Sequence, residues 1–264
     1  MKTNPVRAKL KSGEPSIGTW LALPDPVLAH LMSTTGFEWL TVELEHSPAT
    51  IETAAHCFAV IAASGCVPLA RVPWNTVENI KRVLDTGAWG VVVPMVNSRA
   101  EAEAVVKAAR YRPVGERSVG GQLHAASFAT DAATYYAKAN DEILVVVMAE
   151  HVQAIENIDA ILSVPGLDAV FVGPNDLHAS MGLAPAFDSD NASFNAALKK
   201  VFASAKAHGV APGIHVADAA QAHRRRDEGW QMIAVASEVG FMLARAGEIV
   251  HSLGLGQRGA VAKY

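Results

Sequence analysis

The chain has 264 residues, of which half are hydrophobic and 18% are charged, and its formal net charge is −4 at pH 7. This composition supports a sizeable apolar core and excludes a largely disordered chain, and the slightly acidic balance gives no electrostatic footprint for nucleic acid. The chain starts without a secretory apolar segment and contains no apolar run long enough to span a bilayer, so we expect a cytoplasmic protein that does not contact membranes.

Short apolar runs along the chain predict eight β-strands. Several of these runs, such as Val91–Val93 and Val145–Val147, are apolar at every position, which is typical of a strand buried on both faces. The predicted strands are Gly18–Leu23, Trp39–Glu43, Val67–Val72, Gly90–Met95, Leu144–Glu150, Ala169–Gly173, Gly213–Val216 and Met232–Ala236.

Longer alanine-rich segments with helical periodicity lie between the strands. Thr76 and Ser98 precede two of them and are predicted as N-cap residues, with Glu101 completing a capping box after Ser98. The predicted helices are Asp25–Thr34, Ile51–Ala63, Thr76–Thr86, Ser98–Ala109, Val152–Ser163, Ser193–His208, Ala217–Glu228 and Val239–Leu253. This alternation predicts a parallel sheet, and eight units in this length favour a (β/α)8 TIM barrel over an open sheet.

The segment Arg110–Asn140 interrupts this alternation. It contains Pro113 and several glycines before a short predicted helix, and it comes after the fourth predicted strand. A connection of this length is rarely a plain linker, so we expect it to cover an active site. Since no linker, repeat or low-complexity tract divides the chain, we predict a single domain over residues 1–264.

Polar residues close several of the predicted strands. His46 follows the second strand, Arg71 ends the third, Glu150 ends the fifth and Asp176 follows the sixth. In a (β/α)8 barrel the carboxyl ends of the strands meet at the active-site rim. We therefore expect these four side chains, distant in sequence, to gather at one rim.

Glu150 and Asp176 are candidate metal ligands. A carboxylate at the end of an apolar strand is costly without a cationic partner, and oxygen ligands suit Mg²⁺ or Mn²⁺. A site with few protein ligands also leaves positions open for a bidentate substrate. The backbone amides that follow Gly173, in the turn with Pro174 and Asn175, are candidates for binding a substrate carboxylate. The alternatives are a salt-bridged rim residue for Glu150 and a turn-capping residue for Asp176.

His46 and Arg71 are candidate catalytic residues. A histidine at a strand end, oriented by Glu43 or Glu45, suits general-base catalysis, and a guanidinium group binds a carboxylate or an enolate oxygen. A structural histidine and a structural ion pair are the alternatives at these two positions. Asp85, at the end of a predicted helix, is open to either a structural role or a place in the site.

Six short motifs follow one another over nearly the whole chain, roughly from Gly18 to Leu253. They are Val42–Pro48, Ala70–Pro73, Leu84–Ala88, Val93–Val96, Arg110–Gly120 and Val170–Leu177. Together they resemble the HpcH/HpaI class II pyruvate aldolases, a family that includes 4-hydroxy-2-oxo-heptanedioate aldolases and 2-keto-3-deoxy sugar acid aldolases.

The resemblance implies a (β/α)8 barrel of the phosphoenolpyruvate/pyruvate type. In this family the last helix is exchanged between neighbouring subunits, and the resemblance implies a homohexamer built as a trimer of dimers. It also implies that Glu150 and Asp176 are the metal ligands and that the cofactor is a divalent ion, Mg²⁺, Mn²⁺ or Co²⁺.

The resemblance further implies roles for the other candidates. Arg71 would contact the keto oxygen of pyruvate, and His46 would be the base, assisted by an acid that corresponds to Glu43. Asp85 would match an aspartate near the site, contributed close to a subunit interface. The implied reaction is the reversible cleavage of a 4-hydroxy-2-keto acid to pyruvate and an aldehyde, so the expected partners are small-molecule substrates.

Two positions depart from the family pattern. The family commonly has Asp-Gly-Glu-His where this chain has the run Glu43–His46, and it often has glutamine where this chain has Met148. Changes around the metal ligands alter metal affinity more readily than reaction type. We therefore expect these departures to affect the choice of metal and the range of substrates.

Other functions remain open at this point. One is a carbon–carbon lyase similar to the citrate lyase β subunit or to malyl-CoA lyase, another is an oxaloacetate decarboxylase, and a third is a catalytically silent barrel that acts as a binding protein. Within the aldolase interpretation, we expect the loops around His124, Pro185–Asp190 and Ser237 to select the aldehyde.

Overall fold

The computed structural model describes residues 1–255, in which eight parallel strands form a closed barrel with the strands in chain order. The strands are β1 (Ser16–Leu21), β2 (Trp39–Glu43), β3 (Val67–Arg71), β4 (Gly90–Val93), β5 (Leu144–Met148), β6 (Ala169–Val172), β7 (Ala211–Val216) and β8 (Met232–Ser237). All eight predicted strands are confirmed, and the predicted (β/α)8 TIM barrel with them.

Helices surround the barrel. They are α1 (Pro5–Lys11), α2 (Pro26–Ser33), α3 (Ile51–Ala63), α4 (Val77–Asp85), α5 (Arg99–Ala109), α6 (Leu123–Ser127), α7 (Ala132–Glu142), α8 (Val152–Glu156), α9 (Ile158–Leu162), α10 (Pro174–Ser180), α11 (Ala192–His208), α12 (Ala219–Asp227) and α13 (Glu238–Ser252). Within residues 1–255, no helix combines the length and the apolar character needed to cross a membrane.

The strands are as buried as their sequences indicate. Every residue of β4 and β5 is buried, because helices cover the outside of the barrel while side chains fill its inside. Gly90 begins β4 where the backbones approach closely, and a Cβ there would lie 2.6 Å from the carbonyl oxygen of Leu144. The pairing of β4 with β5 therefore depends on glycine at this position.

The predicted helix ends are mostly correct. The Thr76 side chain accepts the N–H of Asn79, and the Ser98 side chain accepts the N–H of Glu101, so both N-caps are confirmed. The capping box is wrong in one detail, because the Glu101 carboxylate accepts the N–H of Asn97 at 2.6 Å rather than that of Ser98. The predicted helix Val152–Ser163 is divided at Asn157 into α8 and α9.

The segment Arg110–Asn140 does not cover the carboxyl-end rim of its own barrel, so this prediction is wrong for the single chain. It connects α5 to β5 and therefore lies at the amino ends of the strands. Ser127 within it donates to the carbonyl of Gly87 at 2.8 Å and accepts the indole N–H of Trp89 at 2.8 Å, and both partners directly precede β4. A helix-to-strand connection of this length closes the bottom of the barrel.

Helix α13 follows β8 and contacts β1 and β8 of its own chain. It leaves several large apolar side chains exposed, Met242, Leu243 and Ile249 among them. The exchange of this helix between subunits stays a prediction. The single domain predicted for residues 1–264 extends past the described part of the chain, which ends at Leu255.

Candidate active site

Charged side chains from four strands meet at the carboxyl-end rim of the barrel. Arg71 at the end of β3 is at their centre, and its Nε donates a hydrogen bond to Glu43 at the end of β2. The carboxylate of Glu45 lies 3.4 Å from Nη1 of Arg71, and Glu150, beyond the end of β5, interacts electrostatically with the same guanidinium. The rim thus combines one arginine with several carboxylates inside a mostly enclosed space.

Glu150 is almost completely buried, with 2% of its surface exposed. Its Oε1 accepts the backbone N–H of Met95 at 2.8 Å, whereas its Oε2 has no hydrogen-bond partner within residues 1–255. Burial, with a smaller contribution from the negative charges of Asp176 and Glu45, raises the pKa of Glu150 to about 8, while the Met95 N–H and Arg71 oppose this shift. This buried carboxylate oxygen is therefore left for a group that a bound ligand or ion would supply.

The backbone around Glu150 is shaped to receive this side chain. A Cβ at position 173 would lie too close to Oε2 of Glu150, so a larger residue there would displace this carboxylate. Met95 has φ of 53°, in the left-handed region that costs a non-glycine residue free energy, and this conformation accompanies the N–H bond to Glu150. Strained backbone held in place by its surroundings is common at functional sites.

Asp176 lies in the first turn of α10, three residues after Gly173, and not in the open turn that the sequence suggested. Pro174 has no backbone N–H, and its carbonyl accepts a hydrogen bond from Nδ1 of His178 at 2.7 Å. The free amides of this turn are therefore those of Asn175 and Asp176, since the first N–H bonded within the helix is that of Leu177.

The donor set fits a hard divalent cation. Glu150 and Asp176 provide oxygen ligands only, and their mutual repulsion disappears when a cation lies between them. The part of the chain that the structure describes contains no group of three or more His, Cys, Asp or Glu residues arranged around a metal position. Two carboxylates would thus leave most coordination positions to water or substrate.

The buried Glu150 carboxylate predicts a pH-dependent stability of the metal-free protein. Its pKa is about 8 in the fold against 4.5 ordinarily, so between these pH values the unfolded chain loses a proton that the folded chain keeps. The free energy of unfolding should therefore fall as pH rises from about 4.5 to about 8, by several kcal/mol at about 1.4 kcal/mol per pKa unit.

Urea unfolding in chelator across this pH range measures the effect. The variant Glu150→Gln is the control. Each protein gives a slope of unfolding free energy against pH, and the difference between the two slopes isolates the contribution of this one carboxyl group. Equal slopes for the two proteins would contradict the account of Glu150.

Glu43 has a different role from the one predicted for it. Its Oε1 accepts the backbone N–H of Glu45 at 2.6 Å and that of His46 at 3.1 Å, while its Oε2 binds Arg71. It therefore holds the backbone of the loop and the guanidinium in place and does not contact the imidazole of His46. The longer glutamate at this position reaches both groups at once.

Glu45 is the acid that faces His46. Its Oε1 lies 3.7 Å from Nε2 of His46, whose side chain is 56% exposed at the mouth of the barrel. Burial raises the pKa of Glu45, with Arg71 and His46 opposing the shift and Glu43 adding to it. The run Glu43–His46 did signal a second acid near the histidine, but periodicity alone could not show which of the two carboxylates turns inward.

Arg71 is held on three sides. Glu43 and Glu45 bind it through Nε and Nη1, and the indole ring of Trp20 lies beneath it with 4.8 Å between the guanidinium carbon and the ring centroid. Its Nη2 makes no hydrogen bond within residues 1–255 and is not enclosed. This nitrogen is available to a ligand in the mouth of the barrel.

Asp85 does not join these residues within one chain. It ends α4, which leads into the amino end of β4, so it lies at the opposite end of the barrel. Its carboxylate forms an ion pair of 2.7 Å with the buried Arg117, and it lines a cavity of about 830 Å³ between α3, α4 and α6. A role for Asp85 at the site of a neighbouring subunit stays a prediction.

The three loops expected to select the aldehyde fall in different places. His124 is buried in the bottom segment against Tyr135, and Ser237 is the N-cap of α13. The loop Pro185–Asp190 does reach the rim, because Phe187 packs edge-on against His215 of β7. Met148, the second departure, is buried near Gly173 and gives the Glu150 carboxylate an apolar neighbour.

The chain is similar to known proteins in sequence and in overall fold. The sequence profile of the HpcH/HpaI aldolase/citrate lyase family matches residues 16–244 of the chain. A 4-hydroxy-2-oxo-heptane-1,7-dioate aldolase from Escherichia coli is 38% identical over 245 residues, covering 93% of this chain and 92% of that protein.

Two solved structures are similar over nearly their whole length. An HpcH/HpaI aldolase/citrate lyase family protein from Burkholderia cenocepacia superposes with a TM-score of 0.88 at 31% identity, covering 96% of this chain and 100% of that chain. An HpcH/HpaI aldolase from Desulfitobacterium hafniense superposes with a TM-score of 0.87 at 30% identity, covering 97% and 98%.

Proposed function

Because the chain belongs to the HpcH/HpaI aldolase/citrate lyase family and is a carbon–carbon lyase of the aldolase type, we propose that it cleaves a 4-hydroxy-2-keto acid reversibly to pyruvate and an aldehyde, with a divalent metal ion as cofactor. The observation that carries this proposal is the buried, half-satisfied carboxylate of Glu150 beside Asp176 and facing Arg71. This arrangement suits binding of a 2-keto acid through two oxygens.

The pyruvyl end of the substrate has clear partners at the rim. Its carboxylate fits the free amides of Asn175 and Asp176 after Gly173, and its keto oxygen fits the free Nη2 of Arg71. A divalent ion held by Glu150 and Asp176 would act as a Lewis acid on the same keto oxygen. The guanidinium stabilises the negative charge that develops on this oxygen when the carbon–carbon bond breaks.

His46 is the base of the proposed reaction. It accepts the proton of the 4-hydroxyl as the bond between C3 and C4 breaks, and the electron pair of that bond passes to the pyruvate enolate. Glu45, 3.7 Å away, stabilises the imidazolium that forms. The imidazolium of His46 then gives up this proton as C3 of the enolate is protonated to form pyruvate, and the C4 fragment leaves as an aldehyde.

A Schiff-base mechanism lacks its nucleophile at this rim. Within residues 1–255, neither the carboxyl ends of the strands nor the strand-to-helix connections contain a lysine. A catalytically silent barrel is also a poor interpretation, since the family is one of aldolases and lyases and a cluster of uncompensated carboxylates destabilises a protein that does not bind a cation.

Removal of metal tests the proposal. Release of pyruvate from a 4-hydroxy-2-keto acid should fall to background after treatment with EDTA and return on addition of Mn²⁺, Mg²⁺ or Co²⁺, because several kcal/mol of transition-state stabilisation come from the cation. Pyruvate release is followed by coupling to lactate dehydrogenase. Turnover that is unchanged after exhaustive chelation would contradict the proposed cofactor.

We further propose that the protein forms a homohexamer, a trimer of dimers. The exposed apolar side chains of α13 and the large cavity lined by Asp85 offer surfaces for neighbouring subunits. Sedimentation equilibrium measures the assembly, and a monomer at micromolar concentration would contradict it.

A further inference from the structure

His215 is a partly buried polar residue of the barrel interior that the proposed reaction does not use. It lies on β7, and its ring packs against Trp20 of β1 with 5.7 Å between ring centroids. Trp20 in turn lies under Arg71 of β3. No two of the strands β1, β3 and β7 are adjacent in the barrel. Side chains from these strands can therefore meet only if they point inward. His215 therefore belongs to the mouth of the barrel, one ring away from Arg71.

The hydrogen bonding of His215 fixes which of its nitrogens carries the proton. Nε2 lies 2.9 Å from the carbonyl oxygen of Ala236, which can only accept, so Nε2 donates. Ala236 has φ of 44°, in the left-handed region, at the end of β8. Because the residue that accepts this bond has a strained backbone, holding the ring in this orientation costs free energy.

The other nitrogen, Nδ1, is consequently an acceptor. Burial, with a smaller contribution from the positive charge of Arg71, lowers the pKa of His215 to about 4 against the effect of the Ala236 carbonyl, so the ring is neutral near pH 7. Nδ1 has no hydrogen-bond partner in the described part of the chain and is not among its fully enclosed polar atoms. It is thus open to a hydroxyl group in the barrel mouth.

The charge of the rim limits what else can bind beside His215. With a divalent ion held by Glu150 and Asp176, as proposed, the carboxylates of Glu43 and Glu45 still face a single cation, Arg71. The strand-to-helix connections within residues 1–255 contain neither lysine nor arginine, and two edges of Arg71 are already bound by carboxylates. A second carboxylate on the substrate would therefore meet repulsion without a cation to offset it.

We propose that His215, through Nδ1, accepts a hydrogen bond from a hydroxyl group on the aldehyde part of the substrate. The enzyme then takes hydroxyaldehydes, such as those derived from sugars, in preference to aldehydes with an apolar tail or with a second carboxylate. This inference rests on the proposed function. His215 is a specificity-determining residue, and Phe187 closes the apolar side of its subsite.

Competition between matched aldehydes tests the proposal. The measurement is kcat/KM for the addition of pyruvate to glyceraldehyde, propanal and succinic semialdehyde by the Mn²⁺-supplemented protein and by two variants. His215→Leu removes both ring nitrogens at similar volume. His215→Gln offers an amide to Ala236 and an acceptor oxygen to the substrate. His223→Leu, at an exposed position of α12, is the matched control.

The preference of the wild type for glyceraldehyde over propanal should fall about tenfold in His215→Leu, the value of one hydrogen bond that a bound hydroxyl loses. Because each aldehyde has the same intrinsic reactivity with every variant, the change in this ratio isolates His215. Part of the preference should return in His215→Gln, and His223→Leu should keep all of it. Succinic semialdehyde should be the poorest of the three substrates for the wild type.

A second readout separates this inference from the proposed function. Exchange of the methyl protons of pyruvate with solvent deuterium requires no aldehyde, and it should be equal in the wild type and His215→Leu. Exchange that is intact together with an unchanged glyceraldehyde preference in His215→Leu would overturn the role of His215 alone. Absence of exchange in the wild type would overturn the proposed function and the role of His215 with it.

Discussion

Replacing Arg71 with lysine should lower kcat/KM for cleavage of a 4-hydroxy-2-keto acid by about 10³-fold or more. Lysine keeps the positive charge that offsets Glu43 and Glu45, so the variant should still fold cooperatively. It cannot bind two carboxylates and present a third donor to the keto oxygen, because an ammonium group lacks the planar fork of guanidinium. Loss of a donor to a developing oxyanion commonly costs two to three orders of magnitude in rate.

Arg99→Lys is the matched control for this variant. Arg99 is an exposed arginine at the start of α5 that pairs with Glu103 at 2.8 Å, and its replacement should leave kcat/KM unchanged. Steady-state kinetics with both variants, together with circular dichroism to verify the fold, give the comparison. A rate within tenfold of the wild type for Arg71→Lys would show that this guanidinium does not contact the reacting oxygen.

Replacing Glu150 with glutamine should abolish binding of Mn²⁺ at the site and reduce turnover by about 10³-fold or more, since a Lewis acid contributes several kcal/mol to such a reaction. The amide is isosteric, and its oxygen can still accept the N–H of Met95. The variant without metal should also be more stable than the wild type at pH 8 and above, because it removes a buried charge that has no partner. Isothermal titration with Mn²⁺ and urea unfolding measure the two effects.

Glu142→Gln provides the control for Glu150→Gln. The Glu142 carboxylate also accepts a backbone N–H, that of Asn4 at 2.6 Å, but it lies at the amino ends of the strands. Its replacement should leave metal binding and turnover intact. Metal affinity that survives in Glu150→Gln would place the ligands elsewhere.

The barrel could be predicted from the sequence because its strands are buried on both faces. Runs such as Val145–Val147 are apolar at every position, and the predicted boundaries of all strands fall within two residues of those observed. Helix α1 was missed, since Pro5–Lys11 is short and polar and is stabilised by an N-cap at Asn4 and by contacts with distant parts of the chain. Such tertiary contacts have no local signal.

The length of Arg110–Asn140 does not show which end of the barrel it closes. The side of a connection follows from the direction of the preceding element, and α5 runs from the carboxyl ends of the strands to their amino ends. Counting elements would have placed it correctly.

The sequence indicated which residues lie at the candidate site, but not which of their side chains contact one another. Strand ends indicated His46, Arg71, Glu150 and Asp176, and three of these contribute charge to one enclosed space in the structure. Which of Glu43 and Glu45 faces His46 depends on the direction of the two side chains, and the local sequence does not determine this direction. His215 was missed because it lies one residue before the end of β7 and does not close the strand, although a lone histidine in an otherwise apolar run was a usable signal.

The central claim is that Glu150, Asp176 and Arg71 together stabilise a pyruvate enolate, and exchange of the methyl protons of pyruvate with deuterium from solvent tests it most directly. Mass spectrometry follows the exchange without any aldehyde present, in protein freed of metal and after addition of Mg²⁺ or Mn²⁺. The metal-supplemented wild type should exchange these protons, while the metal-free protein and the variants Arg71→Lys and Glu150→Gln should remain at background. Exchange that is absent with every divalent ion, or equally fast in the metal-free protein, would contradict the account.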